Sequence, residues 1–299
     1  MRAGEILSFL EGEGIPFTFI GNREAAVVGF SSLTHYKPGS FTWIKTQENI
    51  PEGFDLGQIA LAFVSQEVDA GTVPNVIRTV ESKRAFFSSV EHFYAREEDR
   101  PALGQFTYIS PKVKLGKNVH IGHCCVLDGD ITIGDRTEIW NNVTIVNHVQ
   151  IGKDCCIHSG SVIGHDDTAY TEDQDHKKTM IRHYGGVRIG DNVWIGENVC
   201  VNRGTIDDTV VECGVKIDDL SQISHNCILE ANVALAFPCS LGGSTHIGRN
   251  GYIAGAIIRN QCKIGENAFV GMGAVVVKDV APGEIVVGNP ARPLERKKE

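Results

Sequence analysis

His225 is a side chain of this sequence whose type and position suit proton transfer. It lies two residues after the apolar Ile223, at a turn where a side chain can face a groove rather than the interior. A neutral imidazole is the side chain best matched to accept a proton near neutral pH. His225 is therefore a candidate general base, and the elements around it must hold its ring at the edge of a groove.

Those elements are set by a six-residue apolar period. A second apolar residue often stands two positions earlier, and glycine often follows, as in Val119-His-Ile-Gly122. A period of two within a period of six predicts short strands separated by tight turns that glycine enters at low steric cost. Residues from Ile109 to Val276 are therefore predicted to form a parallel β-helix. The first ten positions of the period are Ile109, Leu115, Ile121, Leu127, Ile133, Ile139, Ile145, Ile151, Ile157 and Ile163.

Two slips and one long interruption break the period. The register slips between Asn202 and Val211, and again by one residue between Ile253 and Ile258. Residues 164–186 are too polar for the core, so they are predicted to project from the helix as a loop. Long loops on a regular scaffold are often functional, although a surface insertion without a function is the alternative.

The N-terminal part of the chain lacks the six-residue period. Apolar stretches that begin at Ala26 and Ile59 have the length of short strands, and Val73–Tyr94 has helical spacing. This pattern predicts a small α/β domain that is joined to the β-helix by a linker at residues 96–101. The predicted division is a domain of residues 1–100, a β-helix domain of residues 101–280 and a short tail of residues 281–299.

Composition excludes several functions. The 28 basic and 37 acidic residues give a net charge of −9, which disfavours nucleic acid as a partner. The apolar residues of the N-terminal segment are soon followed by Glu11 and Glu13, so we expect neither a signal peptide nor a membrane span. We therefore expect a cytoplasmic protein. The nine cysteines, between Cys124 and Cys262, lack CxxC spacing and are expected to be buried apolar residues rather than metal ligands.

Three segments together resemble the UDP-3-O-acylglucosamine N-acyltransferase family of lipid A biosynthesis. The resemblance, from about residue 27 to 290, implies a left-handed β-helix and a homotrimer with active sites in grooves between neighbouring helices. It also implies an N-terminal domain that binds the nucleotide of a nucleotide-linked amino sugar, and no tightly bound cofactor. The segments are Gly29-Phe-Ser-Ser-Leu with Lys37-Pro-Gly-Ser-Phe-Thr-Trp43, then Asn202-Arg-Gly-Thr-Ile-Asp-Asp-Thr209, and Lys216-Ile-Asp-Asp-Leu-Ser-Gln-Ile-Ser-His-Asn226.

The resemblance assigns roles to individual residues. It implies that His225 is the general base and that Gly243, one eighteen-residue coil later, supplies the backbone N–H that stabilises the oxyanion. Met272 is expected to bear on the length of the acyl chain. Contacts with the thioester donor are implied on the coil of His225, at Asp218, Asp219 and Gln222, and Asn226 completes the motif.

The chain departs from the family pattern at three places. Gln261 replaces a second functional histidine, and glutamine can hydrogen-bond but cannot carry a positive charge. The family's Gly-Phe-Gly-Tyr loop becomes Asp167-Thr-Ala-Tyr170, which keeps only Tyr170. The tyrosine that would stack on uracil is absent, and the predicted nucleotide site consists of Trp43, Thr46 and Asn49.

Three functional alternatives stay open or are disfavoured. Val287–Arg292 resembles the end of coenzyme A-dependent sugar acetyltransferases, so acyl-coenzyme A and acyl carrier protein are both expected as donors, and the nucleotide and sugar stay open. Zinc catalysis, as in β-helix carbonic anhydrases, is disfavoured because Glu230 follows His225 where the Gly-His-x4-His pattern needs histidine. The remaining alternative is a non-catalytic β-helix that binds a nucleotide sugar or scaffolds a partner.

Overall fold

The computed structural model describes residues 1–95 and 100–294. The chain divides into two compact units, Met1–Glu98 and Asp99–Glu299. Residues 96–99 of the predicted linker and residues 295–299 of the predicted tail lie outside the described residues.

The N-terminal unit is a five-stranded sheet with two α-helices, which confirms the predicted α/β character. Its strand order is β1-β5-β4-β3-β2, and only the β1–β5 pair is antiparallel. The helix predicted over Val73–Tyr94 begins only at Ser82, because Val76–Arg78 pairs with both β1 and β4. The elements are α1 (Ala3–Gly12), β1 (Thr18–Ile20), β2 (Gly29–Phe30), β3 (Ser40–Ile44), β4 (Leu61–Val64), β5 (Val76–Arg78), α2 (Ser82–Tyr94) and two 3-10 turns (Gln47–Asn49 and Leu56–Gln58).

No helix in the described part of the chain is long and apolar enough to cross a bilayer.

The second unit is a parallel β-helix, as the six-residue period predicts. Its strands are β6 (Tyr108–Ile109), β7 (Lys114–Leu115), β8 (His120–Ile121), β9 (Val126–Ile133), β10 (Glu138–Ile139), β11 (Thr144–Ile151), β12 (Cys156–Ile157), β13 (Val162–Ile163), β14 (Tyr170–Glu172), β15 (Lys178–Met180), β16 (Val187–Ile189), β17 (Trp194–Ile195), β18 (Cys200–Val201), β19 (Thr209–Val211), β20 (Lys216–Ile217), β21 (Gln222–Ile223), β22 (Ile228–Leu229), β23 (Ala234–Ala236), β24 (Ser240–Leu241), β25 (His246–Ile247), β26 (Tyr252–Ala254), β27 (Ile257–Ile258), β28 (Lys263–Ile264), β29 (Phe269–Val270), β30 (Val275–Val276), β31 (Ile285–Val287) and β32 (Arg292–Pro293).

Parallel pairing stacks equivalent residues of successive coils. Ile139 pairs with Ile157, and Ile217 pairs with Leu235, each one coil of 18 residues further along the chain. One sheet runs from β8 to β32. The other sheet covers two faces, because β11 continues around a corner and pairs with both β13 and β16. The inward residues form one continuous apolar core.

The slips in the sequence period correspond to irregular coils. Val201 pairs with Ile223, which is 22 residues away instead of 18, and Leu241 pairs with Ile258, which is 17 residues away. Residues 164–186 leave the regular coil and form the antiparallel hairpin of β14 and β15. The irregular coils therefore add or remove turn residues while the inward positions keep their pairing.

The chain after residue 280 adds strands to the helix. β31 pairs in parallel with β29, and β32 folds back antiparallel onto β31. The described part of the predicted tail is thus continuous with the sheet of the β-helix.

Five of the nine cysteines belong to the core, as expected for small apolar side chains. Burial raises the pKa of the Cys227 thiol to about 12, so it is protonated at neutral pH. Cys124 and Cys213 are exposed, which differs from the expectation. The buried cysteines are Cys125, Cys155, Cys227, Cys239 and Cys262.

Candidate active site

His225 lies half-buried in the turn between β21 and β22. Ile223 and Leu229, on either side of the turn, are completely buried in the core. Because these two residues anchor the turn from inside, His225 is left at the outer surface of the coil. The next coil supports the turn, since the N–H of Ser244 donates to the carbonyl of His225 at 2.9 Å.

Asn226 fixes the orientation of the His225 ring. The backbone N–H of Thr205 donates to Oδ1 of Asn226 at 3.0 Å, and Nδ2 of Asn226 donates to the carbonyl of Asp207 at 2.8 Å. These backbone partners determine which end of the amide is oxygen. Because Oδ1 lies 3.0 Å from Nδ1 of His225 and can only accept, Nδ1 carries the proton of the neutral ring. The free lone pair is therefore on Nε2.

Gly243 lies directly against the Nε2 edge of the His225 ring. A Cβ atom at Gly243 would lie 2.5 Å from Nε2 and 2.7 Å from Cε1, closer than any side chain can approach. Within the described residues, no protein group accepts the N–H of Gly243. The lone pair of the imidazole and an uncommitted backbone donor are thus neighbours.

Both ends of the projecting loop, residues 164–186, return to His225. At its start, the carboxylate of Asp167 accepts the backbone N–H of His225 at 3.0 Å. At its end, the ring of His183 packs edge-to-face on the ring of His225, with centroids 5.6 Å apart and planes at 82°. The loop therefore constrains the main chain and the side chain of His225 from two directions.

An ion pair closes the base of this loop. Nε of Arg203, a nearly buried residue, donates to Oδ1 of Asp166 at 2.7 Å, and the guanidinium also donates to the carbonyl of His183. Burial acts to raise the pKa of Asp166, but the backbone N–H of His183 and the charge of Arg203 outweigh it and hold that pKa below its ordinary value. Asp166 is therefore ionised at neutral pH.

A cavity of about 430 Å³ lies beside this cluster. Its wall contains the outward residues of three successive coils, since Val162 pairs with Cys200 and Cys200 with Gln222. The start of the projecting loop, residues 165–168, supplies another wall. Its size is within the usual range for a small-molecule site. Asn202 and Ser224 complete the lining.

The described residues contain no group of three or more histidine, cysteine or acidic side chains that could hold a metal ion.

Comparisons with known proteins point to one group. The hexapeptide-repeat profile described as "Bacterial transferase hexapeptide (six repeats)" matches residues 130–165. UDP-3-O-acylglucosamine N-acyltransferase from Janthinobacterium sp. is 35% identical over 157 residues, which are 52% of this chain and 45% of the relative. The enzyme of that name from Hahella chejuensis is 41% identical over 123 residues, which are 41% of this chain and 35% of the relative. The chain is similar to this group over 41–52% of its length. Each match spans less than half of the relative's own length.

Two solved structures share the architecture of part of this chain. UDP-N-acetylglucosamine acyltransferase from Francisella novicida superposes with a TM-score of 0.58 at 26% identity, over 64% of this chain and 69% of that one. The enzyme from Bacteroides fragilis gives a TM-score of 0.57 at 26% identity, over 63% and 72% of the two chains. The shared part is about two thirds of this chain.

The residues predicted to contact the donor do not all lie together. Gln222 lines the cavity, where its amide donates to Oδ1 of Asn202. Asp218 instead accepts the N–H of Phe237 at 3.2 Å, and Asp219 accepts the N–H of Glu197 at 2.7 Å. The two carboxylates connect adjacent coils, and their contact with a donor stays a prediction.

Gln261 stacks on the active-site turn from the next coil. Its backbone N–H donates to the carbonyl of Gly243 at 2.9 Å, and its φ of 63° is left-handed. The side chain is exposed. Gln261 therefore supports Gly243 through its main chain.

Met272 is also exposed, with 84% of its surface accessible.

The predicted nucleotide residues lie in the N-terminal unit. The indole N–H of Trp43 donates to Oγ of Ser82 at 3.1 Å, and its ring packs near Phe86 and Phe87. Trp43 is thus engaged with helix α2. Exposed Thr46 and Asn49 hydrogen-bond to each other at 3.0 Å.

Tyr170 lies on the exposed hairpin in the β-helix unit, where Nζ of Lys178 lies 5.2 Å from the centre of its ring.

Sequence reasoning missed Asp166, His183 and Arg203. Arg203 stands within the segment that carried the resemblance, so the motif marked the position without its role. Asp166 and His183 stand at opposite ends of a polar stretch with no periodic signal. Their meeting depends on closure of a loop, which spacing alone does not reveal.

Proposed function

We propose that this chain is an N-acyltransferase that moves an acyl group from a thioester to the amine of a nucleotide-linked amino sugar. The observation that carries the proposal is the arrangement of His225, whose Nδ1 is hydrogen-bonded to Asn226 and whose Nε2 edge lies against Gly243. It presents a lone pair on Nε2 next to an uncommitted N–H, as acyl transfer requires. Relatives that are 35–41% identical are named N-acyltransferases, which supports an amine as the acceptor.

The proposed chemistry uses His225 first as a base and then as an acid. The acceptor amine forms a C–N bond with the thioester carbonyl carbon and loses a proton to Nε2 of His225. The carbonyl oxygen becomes an oxyanion and accepts the N–H of Gly243. When the C–S bond breaks, the imidazolium returns its proton to the leaving thiolate. Amide and free thiol are the products.

Asn226 selects the productive tautomer of the neutral His225 ring. Its Oδ1 accepts the Nδ1–H in both the neutral ring and the imidazolium, so the ring does not rotate during proton transfer. A neutral amide orients the ring without adding a negative charge beside it. When the imidazolium gives up its proton, the ring therefore returns to the tautomer with its lone pair on Nε2.

The substrates and setting belong to the same proposal. The donor is acyl-coenzyme A or acyl carrier protein, no tightly bound cofactor takes part, and the cavity beside Gln222 receives part of one substrate. The N-terminal unit, with Trp43, Thr46 and Asn49, binds the nucleotide. The assembly is a homotrimer and acts in the cytoplasm.

The test measures thiol release and amide formation together. Purified protein is incubated with acetyl-, longer acyl-coenzyme A or acyl carrier protein, and with UDP-, TDP- or GDP-linked amino sugars. UDP-N-acetylglucosamine, which has no free amine, reports transfer to a hydroxyl instead. We expect an amide product by mass spectrometry with at least one pair, and a loss of about 10²- to 10⁴-fold in turnover for His225→Ala.

Two results would overturn the proposal. Undiminished turnover in His225→Ala would exclude His225 as the general base. Binding of a nucleotide sugar without thiol release from any donor would instead identify a non-catalytic binding protein.

A further inference from the structure

His183 is a buried histidine that the proposed chemistry does not use. Its side chain has no exposed surface. Nδ1 lies 3.1 Å from the carbonyl of Ile181, which can only accept, so Nδ1 carries the proton of the neutral ring and Nε2 carries the lone pair. Nε2 is buried without a hydrogen-bond partner. An unsatisfied buried acceptor destabilises the folded chain, so the fold by itself does not favour a histidine here.

Several contacts hold the main chain of His183 in place. Its N–H donates to Asp166 at 3.2 Å, and its carbonyl accepts the guanidinium of Arg203. The next two residues continue the attachment, since the N–H of Tyr184 donates to Thr205 and the N–H of Gly185 donates to Gly204. His183 is therefore fixed to the same turn that fixes the amide of Asn226.

The ring of His183 packs against the face-and-edge surface of the His225 ring that Asn226 and Gly243 leave open. The edge-to-face contact at 5.6 Å is within the range that aromatic pairs favour. Gly243 lies on the Nε2 side and Asn226 on the Nδ1 side of the same imidazole. The hydrogen bond to Asn226 alone leaves the ring of His225 free to tilt about that contact. A second contact, such as the packing of His183, is needed to fix the plane of the ring.

The charged groups around the two rings have partners other than the ring of His183. Arg203 already places a guanidinium on the carbonyl of His183, and the His225 imidazolium forms a second cation during the proposed cycle. The two carboxylates that face this region are engaged elsewhere, Asp166 with Arg203 and Asp167 with the N–H of His225. His183 is also too deeply buried to touch a substrate.

We propose that His183 is a positioning residue that holds the ring of His225 in register with Gly243. The inference rests on the proposed function of His225, and it assigns a catalytic purpose to the return of the projecting loop. His183 acts through the shape and anchoring of its ring. It transfers no proton.

Three substitutions separate the ring from its nitrogens. His183→Ala removes the ring, His183→Phe keeps an aromatic ring without nitrogens, and His183→Asn keeps a donor for the Ile181 carbonyl without the ring. We expect kcat to fall about 10- to 100-fold in His183→Ala and His183→Asn, because misplacement of a catalytic group by about 1 Å has this effect. His183→Phe is expected to retain kcat within about threefold, and KM should change little in all three. His246→Ala, which removes a histidine paired with Glu230, is the matched control.

A spectroscopic measurement makes the outcome independent of turnover. ¹⁵N chemical shifts of the His225 ring report the Nδ1–H tautomer and its hydrogen bond. We expect one defined tautomer in the native chain and in His183→Phe, and averaged shifts in folded His183→Ala or His183→Asn. If the native chain shows no acyl transfer but His183→Ala and His183→Asn show averaged shifts, the positioning role of His183 is upheld and the enzyme proposal is overturned. Native kcat and unchanged shifts in His183→Ala and His183→Asn would overturn the role of His183.

Discussion

The side-chain oxygen of Asn226 lies 3.0 Å from Nδ1 of His225. The backbone groups of Thr205 and Asp207 hold the Asn226 amide from two sides, so the contact is fixed by the fold rather than by the two side chains alone. Asn226 also has a left-handed φ of 58°, which asparagine tolerates better than most residues. One residue thus forms the turn and orients the proposed base.

Removing the Asn226 side chain should impair turnover more than folding. Asn226→Gly keeps the left-handed backbone and removes the acceptor of Nδ1–H, so we expect kcat to fall about 10- to 100-fold because the ring loses its orientation. Asn232→Gly is the control, since exposed Asn232 has a similar φ of 61° in a later turn. Steady-state kinetics and thermal melting of both variants make the comparison. Equal loss of kcat in the two variants would show that the effect comes from the turn.

A methyl group at Gly243 should displace the base. The added Cβ in Gly243→Ala would lie 2.5 Å from Nε2 of His225, so the ring must move, and we expect about a 100-fold loss of kcat. Gly273→Ala is the control for a methyl group in a β-helix turn, because a Cβ there meets no atom within 4 Å. Its positive φ of 72° predicts a small loss of stability without a loss of kcat. Native kcat in Gly243→Ala would show that the ring does not work beside this glycine.

A histidine at position 261 should change the kinetics of acyl transfer little. The contact of Gln261 with Gly243 uses its backbone N–H, which histidine also has, and the side chain is exposed. Histidine also tolerates a left-handed φ. We expect Gln261→His to keep kcat and KM within about threefold in the acyl-transfer assay. A large gain or loss in kcat would mean that the side chain at this position takes part in the reaction.

The ion pair between Asp166 and Arg203 should make stability depend on pH. The pKa of Asp166 is lowered in the folded chain, where the His183 N–H and Arg203 outweigh the opposing effect of burial. Its contribution is therefore complete above the ordinary aspartate pKa of about 3.9 and is lost as pH falls through the lower folded value. Asp166→Asn should destabilise the β-helix unit by about 1–2 kcal/mol at pH 7, less than a fully buried pair because Asp166 is partly exposed.

Urea denaturation at neutral and acidic pH measures this dependence. The difference between the native chain and Asp166→Asn should shrink as pH falls below about 4. Asp154→Asn removes the exposed partner of Arg136 and should have a smaller effect at neutral pH. A constant difference at every pH would show that the charge of Asp166 is not what stabilises the loop.

Local pattern alone determined the architecture of this protein. Buried residues such as Ile139 and Ile157 recur at a fixed spacing because each coil must return one inward residue to the same position of the core. The same spacing placed Gly243 one coil after His225, and the structure brings them into contact. The slips between Asn202 and Val211 and between Ile253 and Ile258 were also visible, since a parallel ladder requires equivalent residues to pair despite added or missing turn residues.

Tertiary structure decided what surrounds the base. Asp167 and His183 are sixteen positions apart in a stretch without periodicity, and only the closure of the hairpin brings both to His225. The packing of Trp43 against helix α2 was equally hidden, because an aromatic residue has the same pattern whether it stacks on a ligand or on phenylalanine. A repeat reports which residues face inward at each step. The meeting of non-repeating side chains depends on loop closure and on specific hydrogen bonds, which have no period to read.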